Sequence, residues 1–131
     1  MIDEEELLML LMQRGNYIRE IQKLTDDLAE AQSRHDRVSM NLVLEMRQDV
    51  LTKCDSNWTA ILEMGENGPD DGAEIRRLVR SDPAAEQAEN DLEKRIFEVR
   101  AKNRTMIDTI REKEVRINAI ANTNSSLNRG Y

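Results

Sequence analysis

The chain has 131 residues, enough for one domain, with 34% charged, 39% hydrophobic and only 3% aromatic residues. No apolar run approaches the roughly 20 residues a bilayer requires, which argues against membrane insertion, and 5 glycines and 2 prolines leave too little punctuation for a β-sandwich or barrel. The 26 acids against 19 bases give a net charge of −7, a surface that repels phosphate backbones and speaks against nucleic-acid binding.

A single cysteine forms no internal disulfide and fits a reducing cytoplasm. The opening Met1-Ile2-Asp3-Glu4-Glu5-Glu6 is acidic where a signal peptide is basic, so a cytoplasmic protein is expected.

The first predicted segment is helical over residues 3–64. Asp3 can accept from the backbone N–H of Glu6, and Glu6 can reach back, as in a capping box. Glu4, Glu5 and Glu6 suit the positive end of the helix dipole. Tyr17, Ile21, Leu24, Leu28, Ala31, His35, Val38 and Leu42 recur at alternating steps of four and three, the stripe of a helix packed on helices. The stripe then shifts by one residue to Met46, Val50, Cys54, Trp58 and Ile61. The polar stretch at 33–36 offers a break, with Ser33 or Asp36 as N-cap, so the segment is either one bent helix or two.

Residues 65–72, with three glycines, a proline and turn-forming Asn and Asp, read as a loop. Residues 73–80 read as a short helix with Ile75, Leu78 and Val79 on one side. Asp82 as N-cap and Pro83 at the first helical position then predict a long helix over 83–125. Its stripe is the strongest in the chain: Leu92, Ile96, Val99, Asn103, Met106, Ile110, Lys113, Ile117, Ile120, Asn124 and Leu127.

Eight apolar members of that stripe, at roughly 1.5–3 kcal/mol each when buried, do not offset the ordering of about 40 residues at ~1–2 kcal/mol each. The helix must pack on something, and the first segment, returned antiparallel by the glycine loop, is the available partner. The expected fold is all-α, a single domain built as an elongated antiparallel helical hairpin or three-helix bundle with coiled-coil packing.

Residue chemistry points away from catalysis. The chain has 1 histidine and 1 cysteine. His35 falls on the stripe, and Cys54 shares a face with Val50, Trp58 and Ile61, so both read as packing residues. One histidine cannot build a di-metal bundle site, and no glycine motif follows a strand to cradle phosphate. No enzyme, cofactor or metal site is expected. Arg76, Arg77 and Arg80, and Lys94, Arg95, Arg100, Lys102 and Arg104 interleaved with Glu93 and Glu98, read as solvated faces and ion pairs.

Two features read as binding surface. Leu7-Leu8-Met9-Leu10-Leu11-Met12 is apolar all round, either tucked into the bundle or offered to a partner. Ile107 and Val115, with Phe97 further round, widen the last helix's seam beyond what one partner covers. Asn103 in a core position can fix register, whereas Asn124 reads as a partly exposed end position.

Three stretches carry a family likeness: Ile21 to Ala31; Asp36 to Leu51, where Asp36, Met40, Val43, Leu44, Glu45, Arg47, Val50 and Leu51 fill the pattern of an Asp opening a helix, spaced apolar positions, Glu-x-Arg and an aliphatic pair; and Ile117 to Tyr131, an apolar helix running into small polar residues and a terminal tyrosine. In these the chain resembles the flagellar type III export chaperones of the FlgN/FliT class. The resemblance implies a cytoplasmic export chaperone that binds the C-terminal amphipathic helices of late flagellar subunits, at the hook–filament junction or filament cap. Such a chaperone prevents premature assembly and delivers the subunits to the export apparatus. The candidate groove is Ile107, Ile110, Ile117, Ile120 and Leu127, joined by Leu8, Leu11 and Met12 of the N-terminal run. The competing expectation is a non-enzymatic coiled-coil adaptor, or a homodimer whose stripe is satisfied by its own copy.

Overall fold

A computed structural model describes residues 1–129, with side chains described through Thr123. It is an all-α bundle of α1 (Glu4–Ser33), α2 (Arg37–Glu63), α3 (Pro69–Ile75), which runs on into a π-helical turn at Arg76–Arg80, and α4 (Asp91–Arg129). No helix among the described residues is long and apolar enough to cross a membrane.

The break at 33–36 makes two helices, and His35 is its pivot. The N–H of His35 donates to the Gln32 carbonyl and that of Asp36 to the Ala31 carbonyl, at 3.1 and 3.0 Å. That is the double closure of a Schellman turn, which needs a left-handed residue between, and His35 supplies it at φ 55°. Asp36 then opens α2: its carboxylate accepts the Ser39 N–H at 3.1 Å and the Ser39 hydroxyl at 2.6 Å. Those two bonds hold its carboxyl below the usual range. The expectation that His35 lies on the packing stripe is therefore corrected. It is an exposed turn residue, and α2 leaves the turn with a new phase. Val38, Leu42 and Met46, assigned to the stripe, are exposed, while Val43, Val50 and Cys54 face the core.

α1 is the central helix. Asn57 of α2 donates to the Leu10 carbonyl at 2.9 Å, Arg14 to the Cys54 carbonyl at 3.1 Å, and Arg47 to the Thr25 hydroxyl at 3.2 Å, so α1 and α2 run antiparallel. On its other side, Asn103 of α4 donates to the Leu11 carbonyl at 3.1 Å, Lys113 pairs with Asp26 at 2.6 Å, and Gln32 donates to the Ile117 carbonyl at 2.9 Å. These numbers rise together, so α4 runs parallel to α1 and antiparallel to α2. The last helix does return antiparallel, but to α2; the helix it packs along is α1.

One core lies at the end where the chain enters: Leu7, Leu11, Ile61, Ile75, Leu78, Ile96 and Phe97. A second, Ile18, Ile21, Leu24, Val50, Cys54 and Ile110, lies midway. Between them the buried Asn103 side chain of α4 lies directly on Gly15 of α1, where a Cβ would come 2.7 Å from the Asn103 Oδ1. The mid-helix glycine is thus required by packing. Beyond the second core, toward the α1–α2 turn, the buried positions thin out to Leu28, Ala31 and Gln32.

Two boundaries differ from expectation. The loop is shorter, because Pro69 starts α3 at its first position. The long helix starts at Asp91 rather than 83. Asp82 caps only one turn, accepting the Ala84 N–H at 3.0 Å, and Asn90 caps α4 by accepting the Glu93 N–H at 2.8 Å. Helix from Pro83 to Asp91 would carry the chain about 12 Å, past the place where α4 must begin to lie beside the start of α1.

Candidate functional site

The chemistry-bearing residues are dispersed. His35 is exposed in its turn, and Cys54 is buried, where loss of solvation pushes its thiol pKa up and disfavours the reactive thiolate. Among the described residues, no group of three or more His, Cys, Asp or Glu side chains could hold a metal ion.

The expected partner-binding residues divide sharply. Leu11 and Ile110 are buried in the two cores, and Leu8 packs partly buried against the first. Leu11 and Ile110 are therefore not free for a partner, which corrects their assignment to a groove, while Leu8 keeps part of its surface open. Met12 is exposed. Ile107 and Ile117 are half-buried, and Ile120 is exposed. Leu127 and Asn124 lie outside the residues whose side chains are described. Asn103 is buried and bonded to Leu11, as its core position suggested.

What the structure brings together instead is an apolar end. The Arg47–Glu114 ion pair marks the level at which α2 passes α4, and with the two antiparallel, residues 38–46 and residues 115–120 occupy the same end of the bundle. At that end Val38 is 81% exposed and Val115 68%, and Leu42, Leu44, Met46 and Ile120 are exposed as well. The first three turns of α2 carry Val38, Met40, Leu42, Val43, Leu44 and Met46, apolar on every side. One neighbouring helix covers one face of such a segment; the remainder stays open. That density was present in the sequence as six apolar residues in nine, but a single stripe drawn through Val38 and Leu42 absorbed it.

The opposite end is polar and titratable. Glu93 is 1% exposed, pairs with Arg77 at 2.7 Å and accepts the Glu89 N–H at 3.2 Å. Burial pushes its carboxyl up, but the bonds from Arg77 and Glu89 and a shared proton from Glu4 outweigh this and hold it below its ordinary value. Glu4 takes the other side of that exchange. Burial, then its hydrogen bonds to Glu93 and Glu74, raise it to about 7. A carboxyl whose folded pKa is raised contributes stability below its ordinary value near 4.5, and loses it as pH rises through 7. Glu4→Gln, which can still donate to Glu93, is therefore expected to melt at higher temperature than the parent at pH 8 and with it at pH 5. Thermal melts at the two pH values check this, and a constant difference between them would refute the shared proton.

No family model, curated protein or solved structure matches the chain.

Proposed function

We propose that the protein is a holder of amphipathic helices, acting as an export chaperone that covers the C-terminal helix of a late flagellar subunit from the hook–filament junction or the filament cap. The observation that carries this reading is the exposed apolar end: Val38, Leu42, Leu44 and Met46 on α2, and Val115 and Ile120 at the same end on α4. The family likeness across Asp36 to Leu51 supplies the identity of the guest. Two methionines, Met40 and Met46, suit a surface that adapts to several apolar shapes.

Finishing the burial of six partly covered side chains is worth roughly 6–9 kcal/mol, and the guest's own stripe contributes a similar amount toward the ~4–15 kcal/mol cost of association. A guest helix left in water would expose the same area and aggregate.

The test is titration with a synthetic C-terminal helix of a hook–filament junction protein. The triple variant Val38→Ser, Leu42→Ser, Met46→Ser is expected to bind it at least ~10-fold more weakly while keeping the parent's circular dichroism, since these side chains leave the core untouched. Undiminished affinity would sink the reading. Light scattering separates the adaptor alternative: a stable dimer whose mass does not change on adding the peptide would assign the apolar end to a second copy of the chain.

A further inference from the structure

The face of α4 turned toward α2 carries a second surface, separate from the apolar end and independent of the export reading. Arg100, Arg104, Ile107 and Arg111 follow at steps of four, three and four, so they line one side of the helix over about 16 Å. Trp58 of α2 stands across from them, and Leu11 and Arg14 of α1 form the floor. The groove has a volume of about 280 Å³ and is open because α2 and α4 each pack along α1 and little along each other.

Four guanidinium groups converge on this groove with one acid, Asp108, in a chain whose net charge is −7. Two of the four are engaged within the protein. Arg14 lies over the Trp58 ring, 4.9 Å from its centroid, and is tied to the Cys54 carbonyl. Arg100 donates to the Ser81 carbonyl. The other two point outward with little to hold them. Arg104 reaches Asp82 only at 3.9 Å, with both side chains mostly exposed, and Arg111 has no ion pair among the described residues. Like charges in a row repel, and the arrangement becomes favourable when opposite charges at matching spacing lie along it. Ile107 sits within the row and Trp58 opposite, which asks for apolar cover between the charges.

Those requirements describe one occupant. We propose that the α2–α4 groove binds an acidic amphipathic helix of a partner protein, its carboxylates meeting Arg104 and Arg111 while an apolar side chain between them rests on Ile107 against Trp58. A helix repeats its side chains every three to four residues, as the arginine row does. A nucleic-acid strand would meet the field of the whole acidic chain along its length and find one ring to stack on.

Trp58 is the chain's only tryptophan and lines the groove, so its emission reports on groove occupancy without another indole to mask it. The probe is a synthetic helix of about 18 residues, five turns, with Glu at steps of four and three flanking Leu, compared with the same peptide carrying Gln or Lys for Glu. The Glu peptide is expected to shift the Trp58 emission saturably, and the Gln peptide to bind at least ~10-fold more weakly. In the double variant Arg104→Glu, Arg111→Glu the Glu peptide should lose binding and the Lys peptide gain it. The triple serine variant of the apolar end should bind the Glu peptide like the parent, which separates this groove from the export surface. Equal binding of the Glu and Gln peptides, binding that survives the charge reversal, no shift with any peptide, or a shift produced only by inorganic phosphate or a single-stranded oligonucleotide would each overturn the proposal.

Discussion

Replacing Arg77 with leucine is expected to cost about 3–5 kcal/mol of folding stability, the largest single effect short of disrupting a core. The guanidinium pairs with Glu93 at 2.7 Å, and the Glu93 side chain is 2% exposed against 29% for Arg77. Water reaches the base and not the acid. Deleting the base leaves a buried carboxylate whose remaining partners, the Glu89 N–H and the Glu4 proton, do not neutralise it. The double variant Arg77→Leu, Glu93→Leu removes the stranded charge and is expected to regain most of the loss. The Arg77→Leu deficit should also shrink as pH falls, because protonation of Glu93 relieves the burial. Urea denaturation of the parent, both single variants and the double gives the cycle directly. A single-variant loss under ~1 kcal/mol would mean the pair behaves as an exposed one.

That pair explains why sequence reasoning missed the start of α4. Asp82-Pro83 is a strong helix-opening signal, and one turn does form there. The signal lost because the chain must reverse at this end so that Glu93 can turn inward against Arg77 and α4 can run with α1. No local propensity carries that requirement. The same holds for His35. Its place in a four-three spacing was real, but a left-handed turn residue resets the phase, and spacing alone does not mark a histidine for that role. Where packing agrees with local preference, the reading was direct. Asp3 accepts the Glu6 N–H at 3.1 Å, Asp36 caps α2, and Ile96, Asn103 and Ile110 are buried along α4.

The binding surface was legible in part, for a similar reason. Ile120 was named from the α4 seam and is exposed, whereas Ile110 of the same seam is consumed by the mid-bundle core. A helix stripe records where neighbours can lie, and says nothing of where the neighbour ends. α1 stops at Ser33, so α4 residues beyond Ile117 run out past its cover. The apolar start of α2 lies at the same end of the bundle, because α2 leaves the turn that closes α1.

The N-terminal run gives the second large effect, because it decides whether a leucine-rich stretch is core or surface. Leu7→Ala is expected to cost about 2–5 kcal/mol. Its side chain is fully buried among Leu11, Ile61, Leu78 and Ile96, where three helical elements besides its own close over it and cannot collapse into the space left behind. Met9→Ala, two residues on, should change stability by no more than ~0.5 kcal/mol, since Met9 is 71% exposed. The contrast follows from helix geometry: two residues turn the side chain about 200°, from the packed face to the open one. Urea midpoints for the two variants check the claim, and the slope of the transition should be the same in both. Equal small losses would mean that the end core is not closed, and would return the run from Leu7 to Met12 to the surface available to a partner.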